Sequence, residues 1–403
     1  MLYEMGRASR STTRARVAMA MSALCAGAFV TGGCSGLCKR PVESAVQTES
    51  PQDEPVRPRE PVLLAAADTE LTLFGEFPDR RRVPFHARAA SPMQRHTFGM
   101  EGADFDVDVA SDGRRLVFSS TRHAIRPNLY LKEVGGQAVT QLTHDPAADV
   151  QPTFSADGRR VAFASDRAGS WDIWLLDLEG GPPRQITDSP WHEVHPSFSP
   201  DGRRLVYSMF NELAEKWELW VVNLDRPGSR MMIADGLFPR WSPVGDTIVY
   251  QRARERGGRW FSIWTVDLID GEPTFPVEVA ASSDMALIQP TFSSDGQWIA
   301  YATAEMQAGD QNALPGQMPV FGRGDIWIVQ RDGTSPLRLT DGQGAHFSPS
   351  FAPDGHVFFT RSQGGVENIW SARPMAVPIT SGPVTAGDDS AVSYVTGGGR
   401  ERR

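Results

Sequence analysis

Short apolar runs recur along this chain, each set off by polar turn residues: Leu116-Val-Phe118, Val161-Ala-Phe163, Leu205-Val-Tyr207, Ile248-Val-Tyr250, Ile299-Ala-Tyr301 and Val357-Phe-Phe359. They are too short for helices and rich in β-formers, so they read as strands. Ahead of each lies a partner run such as Val150-Gln-Pro-Thr-Phe154 or Val194-His-Pro-Ser-Phe198. The two are joined by Ser-x-Asp-Gly or a close variant, and copies such as Ser199-Pro-Asp-Gly202 use Pro to preset the backbone for the turn. Gly supplies the positive φ that reverses the chain. A third strand follows in each copy, ending Leu-Tyr130, Ile-Trp174, Leu-Trp220, Ile-Trp264, Ile-Trp327 and Ile-Trp370. A fourth closes in phrases such as Arg184-Gln-Ile-Thr187.

The turn glycines Gly113, Gly158, Gly202, Gly245, Gly296 and Gly355 recur with a period in the mid-forties that lengthens over the last two intervals. Four antiparallel strands repeated at that period predict an all-β chain, a six-bladed β-propeller of four-stranded blades. The third-strand aromatics are expected to pack between blades. The Arg pairs after the turn glycine (Arg114-Arg115, Arg159-Arg160, Arg203-Arg204) are expected to be solvated turn charges.

The first residues have a different pattern. Basic residues Arg7 to Arg16 precede an apolar run from Val17 to Val30, then Thr31-Gly-Gly-Cys34. This is the layout of an export signal, with a run too short for a comfortable membrane span. Small residues before Cys34 resemble a lipobox and make Cys34 the expected lipidation site; ordinary cleavage near Ala26-Gly-Ala28 is the rival reading. Residues 1–34 are therefore assigned to the export signal, 35–68 to a disordered Pro- and Glu-rich tether, 69–93 to a pre-propeller segment, 94–380 to the propeller and 381–403 to a disordered tail. Gln94-Arg-His-Thr-Phe98 and Val377-Pro-Ile-Thr380 are both candidates for the outer strand that closes the ring. All three cysteines, Cys25, Cys34 and Cys38, lie ahead of the propeller in the leader and the start of the tether, so the propeller holds no disulfide or cysteine metal site. A net charge of −9 argues against a nucleic-acid partner.

Phe198-Ser-Pro-Asp-Gly-Arg-Arg-Leu-Val-Tyr207, the Ser165-Asp-Arg167 phrase and the Asp-Ile-Trp third strand together resemble TolB-type propeller repeats, over roughly residues 94 to 380. The resemblance implies a periplasmic protein of the Tol–Pal envelope system whose propeller binds the peptidoglycan-associated lipoprotein. TolB also carries an α/β domain ahead of its propeller, and Asp68 to Met93 is too short for one.

In a four-stranded blade, the connections between first and second strands lie on one face and those between second and third on the other. The former are uniformly tight here. The latter vary: Met209 to Trp217, Gln251 to Trp260 and the long Thr303 to Gly324. Variable loops gathered on one face of a rigid scaffold mark a binding face. Six residues before each turn Asp, or its Val244 equivalent, stand Asp106, Gln151, His195, Phe238, Gln289 and Ser348. They are expected to ring the channel mouth on that face. Two residues further back come Asp104, Asp149, Glu193, Gly236, Leu287 and His346, of which Glu193 and His346 join the candidate binding set.

These observations predict a non-enzymatic binding module recognising an envelope protein or peptidoglycan-associated lipoprotein. It would be a periplasmic monomer touching the membrane only through its lipid anchor, with no cofactor and no resident metal. The competing reading is a metal-dependent polysaccharide lyase, since the related oligogalacturonate lyases use a His/Gln metal site and Trp191-His-Glu-Val-His195 lies near the mouth. Pro196 excludes a helical zinc motif there. No Gly-x-Ser-x-Gly elbow occurs, which removes a serine hydrolase.

Overall fold

The computed structural model describes residues 90–99, 102–253, 261–305 and 323–375. Cys34, the tether and the segment 306–322 inside the long loop lie outside those residues, as does the strand candidate Val377–Thr380. The described residues contain no helix and form six antiparallel sheets arranged as the blades of a propeller. Blade one comprises Asp104–Val109, Arg115–Ser120, Asn128–Glu133 and Val139–Gln141, counted from the channel outward. In blade four the outer position is divided between Glu272–Pro273 and Val277–Ala280, both paired with the third strand Phe261–Ile269. The ring is closed by Gln94–Arg95, which pairs with Val366–Ala372 as the outer strand of blade six. Thr97 Oγ1 and Asn368 reinforce that junction, and the backbone N–H of Ile369 donates to Thr97 Oγ1 at 3.0 Å.

The turn glycines take the expected left-handed conformation, with φ of 65–68° at Gly113, Gly158, Gly202 and Gly296, and 78° and 86° at Gly245 and Gly355. Each turn that keeps the motif is also wired internally. Ser155 Oγ accepts the Arg160 backbone N–H and donates to Asp157, whose carboxylate accepts the Arg159 N–H. The same pattern returns at Ser199-Asp201 and Ser293-Asp295.

The Arg pairs correct the sequence reading. Only the first member of each is solvated. The second reaches sideways onto the next blade: Arg115 over Phe154, Arg160 over Phe198 and Arg204 over Trp241, at 5.6, 5.5 and 4.8 Å from the ring centroids. Arg160 also donates to the Gly202 carbonyl and Arg204 to Asp246. A guanidinium over an aromatic face contributes about 0.5–2 kcal/mol depending on desolvation, so these residues bond blade to blade. The third-strand aromatics likewise carry cations: Arg122 lies over Tyr130 and Arg167 over Trp174. Tyr130 is buried against Phe358 and Ile369 of blade six, as inter-blade packing requires.

Candidate binding face at the channel mouth

The connection between first and second strands has one length in every blade: 110–114, 155–159, 199–203, 242–246, 293–297 and 352–356. On the opposite face the second-to-third connections range from the pair 364–365 to the long span 305–325. One reading changes in detail. Met209 to Trp217 is largely strand, because Arg204–Asn211 and Lys216–Asn223 pair along their whole length and leave a turn of 212–215.

Asp106, Gln151, His195, Phe238, Gln289 and Ser348 come together as one ring near the start of the innermost strands, and they line a single cavity. All six sit in the left-handed region, with φ between 51° and 56°. That conformation is uncommon for residues other than Gly. Its local cause is a β-bulge repeated in all six blades, where the register between first and second strands slips, as between Val150 and Thr153 or Val194 and Ser197. A bulge re-aims its side chain, here into the channel. Five of the six precede Pro, which has no N–H to lose at an interrupted ladder.

The ring side chains hold neighbouring blades together. Gln151 Oε1 accepts the His195 backbone N–H at 2.9 Å, and its Nε2 donates to His195 Nε2 at 2.8 Å. Gln289 Oε1 accepts the Ser348 N–H, and Ser348 Oγ donates to Asp106. His195 packs on Phe238 with ring centroids 3.7 Å apart. Burial, assisted by the Arg240 charge, holds the His195 pKa well below its ordinary value, so the ring is neutral. With Nε2 accepting from Gln151, the proton resides on Nδ1, which is buried with no hydrogen-bond partner among the described residues. The cavity is small, about 40 Å³, enough for a few water molecules.

What closes the channel beneath the ring escaped the sequence reading. Two residues further along each inner strand stand Asp108, Thr153, Ser197, Arg240, Thr291 and Ser350. Arg240 of blade four reaches across the axis to Asp108 of blade one (3.2 Å) and to Thr153 Oγ1 (3.3 Å). Asp108 also accepts from Ser350 and from the Phe154 N–H. The signal was available: opposite charges replace Ser or Thr at one repeat position in two blades that face each other.

Glu193 and His346 do not line the cavity. Their layer is buried beside it and pairs within the blade at Asp104, Asp149 and Glu193 but with the long connection of blade five at His346. Asp104 receives both bonds from Arg122 Nη2 at 2.7 and 2.8 Å, and Asp149 receives the same from Arg167. Glu193, fully buried, is held by Arg230 at 3.1 Å, and His346 Nδ1 is bonded to the Gly324 carbonyl. Burial raises the pKa of Asp149 and Glu193 and lowers that of His346. Nearby, Asp172 is pushed up to about 7, first by burial and then by the Glu193 and Asp188 charges, against a hydrogen bond from Ser170. At the blade-four position, Gly236 leaves room for Tyr250, whose ring would lie 2.4 Å from an added Cβ.

Sheet order, closing strand and bulged inner strands define a six-bladed propeller of the TolB repeat kind. The family described as the TolB beta propeller domain matches residues 93–274, so those residues carry TolB-type propeller repeats. A stretch of 156 residues is 28% identical to the Tol-Pal system protein TolB of Wolinella succinogenes, covering 37% of this chain and 37% of that relative. Among solved structures, the fold is similar to a putative TolB from Agrobacterium tumefaciens (TM-score 0.50, 19% identity, 68% of this chain and 91% of that one). It is also similar to TolB from Acinetobacter baumannii (TM-score 0.51, 19% identity, 64% and 63%).

Proposed function

We propose that this protein is a non-enzymatic recognition propeller of the cell envelope, binding a protein or peptidoglycan-linked partner across the loop-bearing channel face. The observation that carries the reading is the asymmetry of the two faces: uniform short turns on one, and on the other connections that range from 364–365 to 305–325. The channel mouth opens on the variable face, with the buried Nδ1–H of His195 and the stacked Phe238 beside it. The relative from Wolinella succinogenes, a Tol-Pal system protein, supports an envelope role. The lyase alternative would need His195 Nε2 as a metal ligand, and that nitrogen accepts from Gln151.

Affinity capture from envelope extracts tests the reading. His195→Ala with Gln151→Ala, and separately deletion of residues 306–320, should each lower captured partner at least tenfold; the double ring variant also loses blade-to-blade hydrogen bonds, so its capture is compared with wild type at a temperature where its melt shows it folded. Unchanged capture by both would move the binding surface elsewhere. Stoichiometric divalent metal that disappears with His195→Ala would reinstate the lyase. Export with lipid at Cys34 and periplasmic residence belong to the same proposal. A fatty-acid analogue fed to cells should label the wild type and not Cys34→Ala, and equal labelling of both would remove the anchor.

A further inference from the structure

Blades one and two each contain a guanidinium stacked on the third-strand aromatic and neutralised by a buried carboxylate two residues before the ring position. Arg122 pairs with Asp104 and lies 5.1 Å over Tyr130; Arg167 pairs with Asp149 and lies 4.9 Å over Trp174. Blade six keeps the cation and the aromatic but not the acid. Arg361 lies 5.0 Å over Trp370, and the position of Asp104 is taken by His346: His346 stands opposite Arg361 as Asp104 stands opposite Ser120.

Arg361 is buried, 8% exposed. Its Nη2 donates to the Gln343 carbonyl at 3.1 Å, and its Nε has no hydrogen-bond partner among the described residues. A buried guanidinium without a carboxylate is costly, because desolvation of the charge is not repaid. Beside it is a cavity of about 230 Å³, lined by Arg95, Arg361, Gln363, Val366, Asn368 and Trp370. Arg95 comes from the closing strand and lies 6.0 Å from the Trp370 ring, so two guanidinium groups border one space.

We propose that this blade-six pocket binds the carboxylate of a small ligand, which neutralises Arg361 as Asp104 and Asp149 neutralise Arg122 and Arg167 in their own blades. Planar guanidinium groups match a carboxylate in paired hydrogen bonds, and at Asp104 and Asp149 one guanidinium Nη2 contacts both carboxylate oxygens. The volume admits the terminal residue of a peptide or a single sugar acid. The site lies at the outer rim of the loop-bearing face, where the closing strand meets the start of the third strand, and it stands independently of the channel-face reading.

The test titrates the full chain by calorimetry with N-acetyl-alanyl-alanine, its C-terminal amide, glucuronate and sulfate. At least one carboxylate should bind, the amide at least tenfold more weakly than the acid, and whichever of peptide acid and glucuronate binds tighter identifies the source. Arg361→Met and Arg95→Gln should each weaken binding at least tenfold. His346→Asp supplies the missing acid from within and should abolish binding while keeping or raising the melting temperature; together with rim residue Arg95 it keeps the test intact if Arg361→Met fails to fold. Equal binding of acid and amide, sulfate binding tighter than either carboxylate, or wild-type binding in both Arg95→Gln and His346→Asp would overturn the assignment.

Discussion

On the turn face, six connections share one length, and where the Ser-x-Asp-Gly motif is kept they share one hydrogen-bond scheme. On the loop face, connections built from the same pairs of strands differ in length and composition. The strands between them are held by a third kind of contact: the intra-blade Arg–acid pairs and the inter-blade Arg–aromatic stacks. The contrast separates what the fold requires from what it leaves free. A tight turn that reverses a strand needs a positive φ at one position, and Ser and Asp, where present, satisfy its N–H groups. A longer loop that only spans two strand ends has no such fixed requirement, although the two-residue connection 364–365 also uses positive φ at both positions.

The sharpest way to break this contrast is to remove an acid from a blade interior. Asp149→Ala removes a buried carboxylate from the partly buried Arg167 and should cost about 3–5 kcal/mol in urea unfolding. A loss below about 1 kcal/mol would mean the pair is solvated. Next comes the turn itself. Gly158→Val puts a β-branched residue at φ 65° and should cost about 1–3 kcal/mol, read as a lower urea midpoint with unchanged slope. The same substitution at Gly365, in the shortest connection of the loop face, has open space around it, so only its φ of 83° contributes.

A third test is a pH slope at the loop end of blade two. Asp172 has a folded pKa near 7 against 3.8 for the free side chain. Between those values the folded state keeps a proton that the unfolded state releases, so this group's contribution to stability falls as pH rises from about 4 to 7. His96, lowered to about 4 by burial, acts in the opposite direction between about pH 4 and 6.5. The measurement is therefore the difference between wild type and Asp172→Asn in urea midpoints at pH 4.5, 6 and 7.5. The variant should gain on wild type as pH rises, and a flat difference would place Asp172 in contact with water.

Much of this was legible in the chain. Blade number, turn glycines and the six ring positions follow from a repeat whose chemistry is local: Gly for φ, Pro for a missing donor, alternating apolar residues for a buried sheet. The ring was found because its members keep a fixed offset from the turn Asp, even where Phe238 replaces a polar residue. Other features are pairings between residues far apart in sequence, and a repeat pattern does not name their partners. The closing strand is Gln94–Arg95 because it meets Val366–Ala372 at the far end of the propeller, a choice that two similar phrases left open. Arg240 and Asp108 close the channel because blades one and four face each other across the axis. Arg115, Arg160 and Arg204 read as surface charges in sequence, and only the lateral packing of blades lays them over the next blade's aromatic ring. Local backbone chemistry was written in the sequence; which charge meets which partner was decided when the ring closed.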